Sequence, residues 1–289
     1  MREITLEELL EAGCHFGHQV TRQNPKAREF VFEARDNIHI IDLAKTKEGL
    51  EEAGSFIYNL AKNNGLLLIV GTKRQGASII NEEIERAKKE TSADSQIFFV
   101  THHWIGGLLT NFSEVSKNFK KLKDITELLQ SEEGRAKYTK KELGLFSKEK
   151  QKLESLYGGV FQMTEMPKAL FIVDTHLEDL AVREARAMRV TTVGIADTNS
   201  DPTLIDHPIP ANDDAVGSIK LIVSYIIDAW IEGNKSSKLE VESLEVEESV
   251  KKTEEKAENP KETKEKVAKA PKKIKTSKTK KTQKEEVSV

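Results

Sequence analysis

The stretch Gly65–Ala87, GLLLIVGTKRQGASIINEEIERA, constrains the fold more than any other part of the chain. Leu66–Val70 is an unbroken apolar run that follows a glycine, which is typical of a strand buried on both faces. Gly71–Gly76 has the composition of a tight polar loop, and apolar residues recur at helical spacing from Ser78 onward. A strand, a glycine loop and a helix in this order open many nucleotide-binding α/β domains, so the loop is a candidate phosphate site.

The loop departs from both glycine motifs that bind phosphates. NTPases need G-x-x-x-x-G-K-[ST], but Ala77 stands where the lysine belongs. The dinucleotide motif G-x-G-x-x-G fails because Lys73 occupies the position of its second glycine. Lys73 and Arg74 can still attract an anion to a helix N-terminus. A bound nucleotide therefore stays an alternative to a plain strand-to-helix turn with a basic edge.

Apolar patterns before and after this unit predict an α/β fold. Further strands are predicted at Ile97–Val100, Ala169–Val173 and Val190–Ile195, and helices at Thr46–Lys62, Leu177–Met188 and Ala215–Ile231. Because strands and helices alternate, the sheet should be parallel. Asp197–Asp214 is predicted to be a polar loop at the carboxyl end of a strand, where such sheets usually bind ligands.

The N-terminal region is predicted to add a helix, a loop and a hairpin. Thr5 caps a short helix that stops at Gly13. The segment CHFGHQVTRQNPKAREF follows as a loop. A β-hairpin with a turn at Asp36–Asn37 comes next. The residues that alternate with polar neighbours in this hairpin are Phe30, Phe32, Ile38 and Ile40.

Two segments differ in composition from this α/β body. Between Ser113 and Val160, apolar residues step by three or four through a lysine-rich background, which predicts an antiparallel helical hairpin with a narrow apolar seam. The hairpin looks too polar for a core, so we expect residues 113–157 to protrude as a coiled-coil arm. After Gly233 the chain is mostly Glu, Lys, Ser and Thr, which predicts disorder for 234–289. The α/β body then comprises 1–112 and 158–233.

The charges and the single cysteine limit the class of protein. From Lys235 to the end there are 16 lysines and 12 glutamates, so the preceding residues carry 36 acidic and 29 basic groups. An acidic body argues mildly against nucleic acid unless its basic groups share one face. Cys14 is the only cysteine, which excludes an internal disulfide and favours a reducing cytoplasm. No apolar run is long enough for a bilayer, and the acidic N-terminus is unlike a signal peptide, so we expect no membrane partner.

Six segments that occur in order between Leu6 and Trp230 carry a resemblance to a known family. They are AGCHFGHQVTRQNPKAREFVFEARDNIHIIDLAKT, VGTKRQ, WIGGLLTNF, GGVFQM with the following Pro167, VDTHLEDLAVREA and IADTNSDPTLIDHPIPANDD. Together they resemble the bacterial small-subunit ribosomal protein S-two family, and the helical insertion is similar to its bacterial or organellar branch. The C-terminal tail lies outside the resemblance.

The resemblance implies a flavodoxin-like parallel sheet with helices on both faces and a coiled-coil hairpin. It implies a structural constituent of the small ribosomal subunit, bound to small-subunit rRNA where head meets body, that helps to seat the neighbouring protein S-one. It implies a ribosome-bound, cytoplasmic chain with no catalytic activity, no cofactor, no small-molecule substrate and no homo-oligomer. The incomplete phosphate loop then reflects a shared fold and not a shared function.

Several side chains suit RNA at the places that the resemblance indicates. Lysine and arginine neutralise phosphates, while stacking adds discrimination. The candidates are Phe16, His18, Arg22, Asn24, Lys26, Arg28, Arg35, Lys73, Arg74, Trp104, Asn111, Lys117, Lys120, Lys121, Lys137, Lys140 and Lys141. Two alternatives stay open, a merely solvated face for the inserted helices and core packing for Phe16. Family members commonly have arginine where this chain has His103, which puts a phosphate contact there in doubt.

Two other groups of residues offer alternatives to RNA binding. The candidates for a divalent metal site are His15, His18, Asp197 and Asp201, with Asp213 and Asp214 nearby in sequence. Aspartates in such loops more often cap helices and fix turns, so we expect no metal. His102 and His103 beside Ser113 suggest hydrolysis only weakly, because the chain has no G-x-S-x-G elbow.

Overall fold

The computed structural model describes residues 2–91 and 96–258, with side chains through Lys238. Contacts divide the chain into two compact units, Met1–Glu240 and Val241–Val289. The described part of the second unit is helical. None of the helices in the described ranges is both long and apolar enough to span a membrane.

The elements of the first unit follow one another as strands and helices, with short 3₁₀ turns between some of them, and its last helix continues into the second unit. In chain order they are α1 (Leu6–Glu11), β1 (Phe16–Gln19), 3₁₀ turns at Val20–Arg22 and Pro25–Phe30, β2 (Val31–Arg35), β3 (Ile38–Ile41), α2 (Leu43–Lys62), β4 (Leu67–Val70), α3 (Arg74–Thr91), β5 (Ile97–Val100), α4 (Phe112–Gln130), α5 (Glu132–Ala136), α6 (Lys140–Tyr157), β6 (Ala169–Ile172), α7 (Asp179–Met188), β7 (Thr191–Ala196), a 3₁₀ turn at Pro202–Leu204, β8 (His207–Pro210) and α8 (Val216–Glu258).

A five-stranded sheet in the order β5-β4-β6-β7-β8 forms the centre of this unit, and all its strand pairs are parallel. Alternate residues of β4 point to opposite faces, as strand geometry requires. Leu67 and Ile69 join the apolar cluster on one face, and Leu68 and Val70 join the cluster on the other. The order corresponds to the flavodoxin-like arrangement, so the predicted α/β fold is confirmed.

The last strand of this sheet is missing from the sequence prediction. β8 lies within the segment that was expected to be a loop, Asp197–Asp214, and it pairs with β7 through Val193 and His207. Its sequence, HPIP, contains two prolines, which are tolerated in strands at the edge of a sheet but remove donors from the ladder. The two prolines are therefore the reason why the sequence pattern did not predict this edge strand.

A second sheet, antiparallel and in the order β1-β3-β2, lies before the first in the chain. The hairpin of β2 and β3 is confirmed, and its turn residues Asp36 and Asn37 have positive φ angles of 50° and 62°. These angles are typical of a type I′ turn. The alternation of apolar residues suggested that Phe32 faces the core, but its side chain is 71% exposed. The buried residues of the hairpin are His39 and Ile41.

β1 corrects the predicted loop over CHFGHQVTRQNPKAREF. It pairs with β3, with Phe16 opposite Ile40. The strand has only four residues, FGHQ, with a glycine and no apolar alternation, so its local sequence carries no strand signal. Its pairing with β3 supplies the order that the local sequence does not.

The predicted glycine loop is shorter than expected, because α3 begins at Arg74 and not near Ser78. Gly76 is buried within this helix. A Cβ atom at Gly76 would lie 3.6 Å from Val173 and 3.7 Å from Ile219, so the position packs against neighbouring elements. The glycine therefore serves helix packing within the body.

The inserted helices share the core at their base. Val115, Phe119 and Leu122 of α4 and Tyr157 of α6 belong to the apolar cluster that also contains Leu68. Phe119 and Tyr157 meet edge to face at 5.5 Å between ring centroids. The expectation that the insertion is too polar for the core is therefore wrong at its base. A coiled-coil arm over 113–157 stays a prediction.

α8 continues past Gly233, the residue at which the folded part was predicted to end. A Cβ atom at Gly233 would lie 2.4 Å from the carbonyl oxygen of Tyr58, so glycine allows α8 and α2 to approach closely. Beyond it, Ser237 is 8% exposed and Tyr58 Oη donates to Ser236 Oγ at 3.0 Å. Of the predicted disordered tail 234–289, residues 259–289 lie outside the described residues.

These contacts predict the effect of shortening the chain. Ending it at Gly233 removes the Tyr58–Ser236 hydrogen bond, the buried Ser237 and the Lys235–Glu90 ion pair at 2.8 Å. We expect a loss of about 1–2 kcal/mol, because each net hydrogen bond contributes ~1 kcal/mol. Thermal unfolding should show a midpoint lowered by a few degrees. A chain that ends at Glu240 is the control, and equal midpoints for both truncations would contradict the prediction.

Candidate functional site

A group of charged residues converges where the strands of the parallel sheet end. Lys73 follows β4, Asp174 follows β6, Asp197 follows β7, and Asp213 and Asp214 follow β8. The carboxyl ends of parallel strands share one edge, and a flavodoxin-like sheet binds ligands there, at the point where the strand order reverses. With one residue of β1, these side chains form what we call the polar cluster: His18, Lys73, Asp174, Asp197, Asp213 and Asp214.

Lys73 lies among the carboxylates of the polar cluster. Its Nζ is 2.7 Å from Oδ2 of Asp174 and 2.8 Å from an oxygen of each of Asp213 and Asp214. Burial acts to lower the pKa of Lys73, but these carboxylates outweigh it and raise the pKa above its ordinary value. The ammonium group is thus charged and surrounded by negative groups. This arrangement repels a nucleotide phosphate, so the geometry does not support the nucleotide alternative.

His18 joins the cluster because β1 packs against the chain that follows β7. Its backbone N–H donates to Thr198 Oγ1 at 2.9 Å, and a Cβ atom at Gly17 would lie 2.7 Å from Thr198. Its Nδ1 is 3.1 Å from Oδ2 of Asp197, and its Nε2 is 3.5 Å from Oδ2 of Asp214. The contact with Asp197 raises the pKa of His18. His18 is therefore placed for carboxylates and less for stacking on a base.

Asp213 is the most deeply buried carboxylate of the cluster. Its side chain is fully buried, and its Oδ2 has no hydrogen-bond partner among the described residues. Burial and the negative charges of Asp174 and Asp197 raise the pKa of Asp213 to about 7, although Lys73 acts in the other direction. The cluster therefore holds more negative charge than its own cations balance.

Glu184 organises a second polar site that sequence reasoning missed. Its carboxylate accepts from the backbone N–H groups of Gly107, Leu109 and Thr110 at 2.8, 3.1 and 3.2 Å, and from Trp104 Nε1 at 3.3 Å. These donors outweigh the effect of burial and lower the pKa of Glu184. The signal available in the sequence was a glutamate in the apolar stripe of α7.

This arrangement corrects the prediction that Trp104 binds RNA. The indole ring is 3% exposed and belongs to the apolar core. Its polar atom is directed to Glu184. The ring is therefore not available to stack on a base.

Most of the other RNA candidates are exposed. Those with no ion-pair partner among the described residues are Arg22, Arg28, Arg35, Arg74, Lys120, Lys137, Lys140 and Lys141. Arg35 pairs with Ile38 across the antiparallel sheet, and Arg22 lines a cleft together with Gln19 and Ile38. Both cations thus lie at the turn end of this sheet, on opposite sides of β3.

Other candidates already have contacts within the chain. Lys26 pairs with Asp201 at 2.6 Å, Lys117 with Glu114 at 2.7 Å, and Lys121 with Glu149. Asn24 caps a 3₁₀ turn by accepting from the backbone N–H of Lys26 at 3.0 Å. The three ion pairs lie at the surface, where such interactions are weak and can be exchanged for others. Asn111 is exposed at the N-terminus of α4 without a side-chain cap.

Two phenylalanine rings are accessible on the antiparallel sheet. Phe16 is 49% exposed, and the centroid of its ring lies 4.0 Å from that of His15. Core packing therefore covers only part of the Phe16 side chain. Phe32 is 71% exposed and was missed, because the alternation of the hairpin suggested a core residue. Exposed rings are what stacking on unpaired bases requires.

The structure brings some of the candidate metal ligands together, and in the described ranges it does not join the candidate hydrolase residues. His18 and Asp197 come together with Asp213 and Asp214, whereas Asp201 pairs with Lys26 and caps Pro202–Leu204. His15 lies outside the group of potential ligands, and burial lowers its pKa. His102 and His103 are exposed, and no hydrogen bond within the described ranges joins either to Ser113.

Comparison with known families agrees with the resemblance of the sequence. A model of the family described as ribosomal protein S2 matches residues 9–233, which include both sheets and the inserted helices. The match spans well over half of the 289 residues. Proteins of this family are typically structural and not enzymatic. The chain therefore belongs to the ribosomal protein S2 family, whose members are structural proteins of the small ribosomal subunit.

Proposed function

We propose that this chain binds small-subunit rRNA at the junction of head and body and helps to seat protein S-one. The observation that carries the proposal is a set of exposed cations without ion-pair partners in the described part of an acidic body, which includes Arg22, Arg35 and Arg74. Unpaired surface cations cost little to bring against phosphates, since no internal ion pair must be broken. They supply the salt-dependent part of RNA affinity.

The antiparallel sheet supports this proposal further. Arg22 and Arg35 lie at its turn end, and Phe16 and Phe32 expose their rings on it. A small sheet that offers cations for phosphates and accessible aromatic rings for bases is typical of surfaces that bind unpaired RNA. Lys137, Lys140 and Lys141 add exposed charge on the inserted helices. We propose that both regions contact rRNA, and that the polar cluster between the strand ends does not.

The remaining parts of the proposal concern chemistry and location. We propose that the chain is ribosome-bound in the cytoplasm, acts without turnover, and does not assemble with a second copy of itself. Co-sedimentation of the tagged full chain with ribosomal particles across a salt series tests the main claim. We expect stoichiometric migration with the small subunit that weakens as salt rises. A chain that stays at the top of the gradient at low salt would overturn the proposal.

A paired substitution tests the antiparallel sheet directly. Arg22→Gln/Arg35→Gln removes two unpaired cations, so we expect weaker rRNA binding and a salt slope reduced by about 1 for each arginine. The measurement is the binding constant for small-subunit rRNA at several salt concentrations. Arg183→Gln/Lys47→Gln is the matched control, because these cations already pair with Asp179 and Glu51. Equal slopes for the two double variants would place the RNA elsewhere.

A further inference from the structure

The connection between α7 and β7 places two arginines at the amino-terminal edge of the parallel sheet, opposite the polar cluster. α7 ends at Met188 and β7 begins at Thr191, so only two residues join them. A cleft of about 450 Å³ opens at this connection. It is lined by Arg186, Arg189, Val190, Thr191 and Asp206. None of these residues is among the RNA candidates that the sequence suggested, so this edge is a separate place to look for a ligand.

The cleft carries an excess of positive charge. Arg186 and Arg189 are both exposed, and neither forms an ion pair within the described ranges. The carboxylate that lines the cleft, that of Asp206, accepts from the backbone N–H and the hydroxyl group of Thr192 at 2.8 and 2.9 Å. Lys168 directly precedes β6, which pairs with β7, and it is also exposed. A basic cleft of this kind attracts an anion.

The backbone of Arg189 indicates that its side chain has a task outside the fold. The residue caps α7 in the left-handed conformation, with φ 57° and ψ 36°, and its N–H donates to the last turn of the helix. Glycine is usual at such a cap, because a Cβ atom makes this conformation costly and the hydrogen bonds need only the backbone. The helix dipole favours a cation near this end, but Arg186 already supplies one. A strained residue that lines a cleft is typical of binding sites.

The donors of the cleft suit a phosphate group. A guanidinium group presents pairs of N–H donors in a plane that matches two phosphate oxygens, and it is weakly hydrated. Thr191 lines the same cleft, and its hydroxyl group can donate to a third oxygen. The cleft is wider than one phosphate group needs, so the sugars on either side of a phosphodiester also find room. The chemistry therefore fits a nucleic-acid backbone better than a small free anion.

We propose that Arg186, Arg189 and Thr191 bind a phosphate group of the small-subunit rRNA backbone. This inference rests on the proposed function, since it names a further place at which the same RNA is held. The site belongs to α7 and β7, so it is independent of the antiparallel sheet and of the inserted helices. Contacts to phosphates fix the position of a protein on RNA and add affinity, but they do not read the sequence of bases.

Binding of small-subunit rRNA to the full chain at several salt concentrations tests the proposal. The variant is Arg186→Gln/Arg189→Gly, which removes both guanidinium groups and relieves the left-handed backbone. We expect weaker binding and a salt slope reduced by about 1, because one phosphate contact is lost. The melting temperature of the free protein should stay within a few degrees of that of the unchanged chain, because glycine suits the cap of α7. A merely structural role of the two arginines would instead lower the melting temperature and leave the salt slope unchanged.

Arg183→Gln/Lys47→Gln is the matched control, since it removes the same charge and Arg183 lies on the same helix but pairs with Asp179 at 2.7 Å. This control should keep the full salt slope. If the unchanged chain binds rRNA and Arg186→Gln/Arg189→Gly keeps the full slope as well, this inference is overturned and the proposed function stands. If the unchanged chain does not bind rRNA at low salt, both are overturned.

A titration with inorganic phosphate, at constant ionic strength, separates RNA from a free anion. We expect the melting temperature of the unchanged chain to stay constant, because a single phosphate ion fills only part of the cleft. A melting temperature that rises with phosphate in the unchanged chain but not in Arg186→Gln/Arg189→Gly, together with equal salt slopes for rRNA, would assign the cleft to a free anion and overturn the proposal.

Discussion

Replacing Glu184 with alanine should lower the free energy of unfolding by about 3–5 kcal/mol, because several buried donors lose one charged acceptor. The donors are the N–H groups of Gly107, Leu109 and Thr110 and the indole of Trp104. Glu184 is only 6% exposed, so water reaches few of them once the carboxylate is gone. Urea denaturation followed by far-UV circular dichroism measures the loss.

Glu184→Gln separates the charge from the shape of this side chain. The amide keeps one acceptor oxygen, so we expect an intermediate loss. Since the pKa of Glu184 is lowered on folding, the charge contributes stability above the unfolded pKa of about 4.5, and this is lost as pH falls through the folded pKa. The difference between glutamate and glutamine should therefore shrink in acid. Asp179→Ala, on the same helix in a surface pair with Arg183, should cost less than about 1 kcal/mol. A comparable loss in both alanine variants would refute the special role of Glu184.

Replacing Lys73 with methionine should be the other large effect, again about 3–5 kcal/mol, because it leaves buried charges uncompensated. Asp174 and Asp213 are 5% and 0% exposed, and each lies within 2.8 Å of Nζ. Methionine keeps most of the volume, so the loss reports charge and not a cavity. The measurement is urea denaturation with a chelator present, so that no metal ion takes the place of the ammonium group.

A double variant tests the cause of that loss. Lys73→Met/Asp213→Asn removes one of the stranded charges, so part of the stability should return and the two substitutions should couple. Arg74→Met is the control, since Arg74 directly follows Lys73 but is exposed and has no ion-pair partner in the described chain. We expect it to change stability by less than about 0.5 kcal/mol. If the double variant is no more stable than Lys73→Met, charge imbalance is not the cause.

The parts of the fold that the sequence predicted are those with a strong local pattern. The run LLIV of β4 is buried at every position, and Asp36–Asn37 adopts the left-handed turn that its residue types tolerate. β1 and β8 were not predicted because FGHQ and HPIP each contain only one residue of high strand propensity, beside a glycine or two prolines, and show no alternation. Gly233 looked like an end because close helix packing leaves no local signal.

The site was harder to predict than the fold for a related reason. Lys73 meets Asp174 and Asp213 across roughly 100 and 140 residues, and only the sheet topology brings them together. The sequence suggested the basic turn and the aspartate loops separately, as an RNA contact and a metal alternative. Lys73 and these aspartates neutralise one another because the strand order brings them to the same edge of the sheet. Likewise, the glycine-containing sequence around Trp104 suggested a surface loop, but the indole ring is buried and its Nε1 donates to Glu184.

The packing of Phe119 and Tyr157 at the base of the inserted helices has a consequence for binding energetics. Both ends of the insertion are anchored in the apolar cluster beneath the parallel sheet, so α4 and α6 begin and end at fixed points. A partner that meets lysines near this base finds them on preorganised helices, and association loses little conformational entropy there. Substitutions that loosen the anchor, such as Phe119→Ala, should therefore weaken such a contact without touching any residue that makes it.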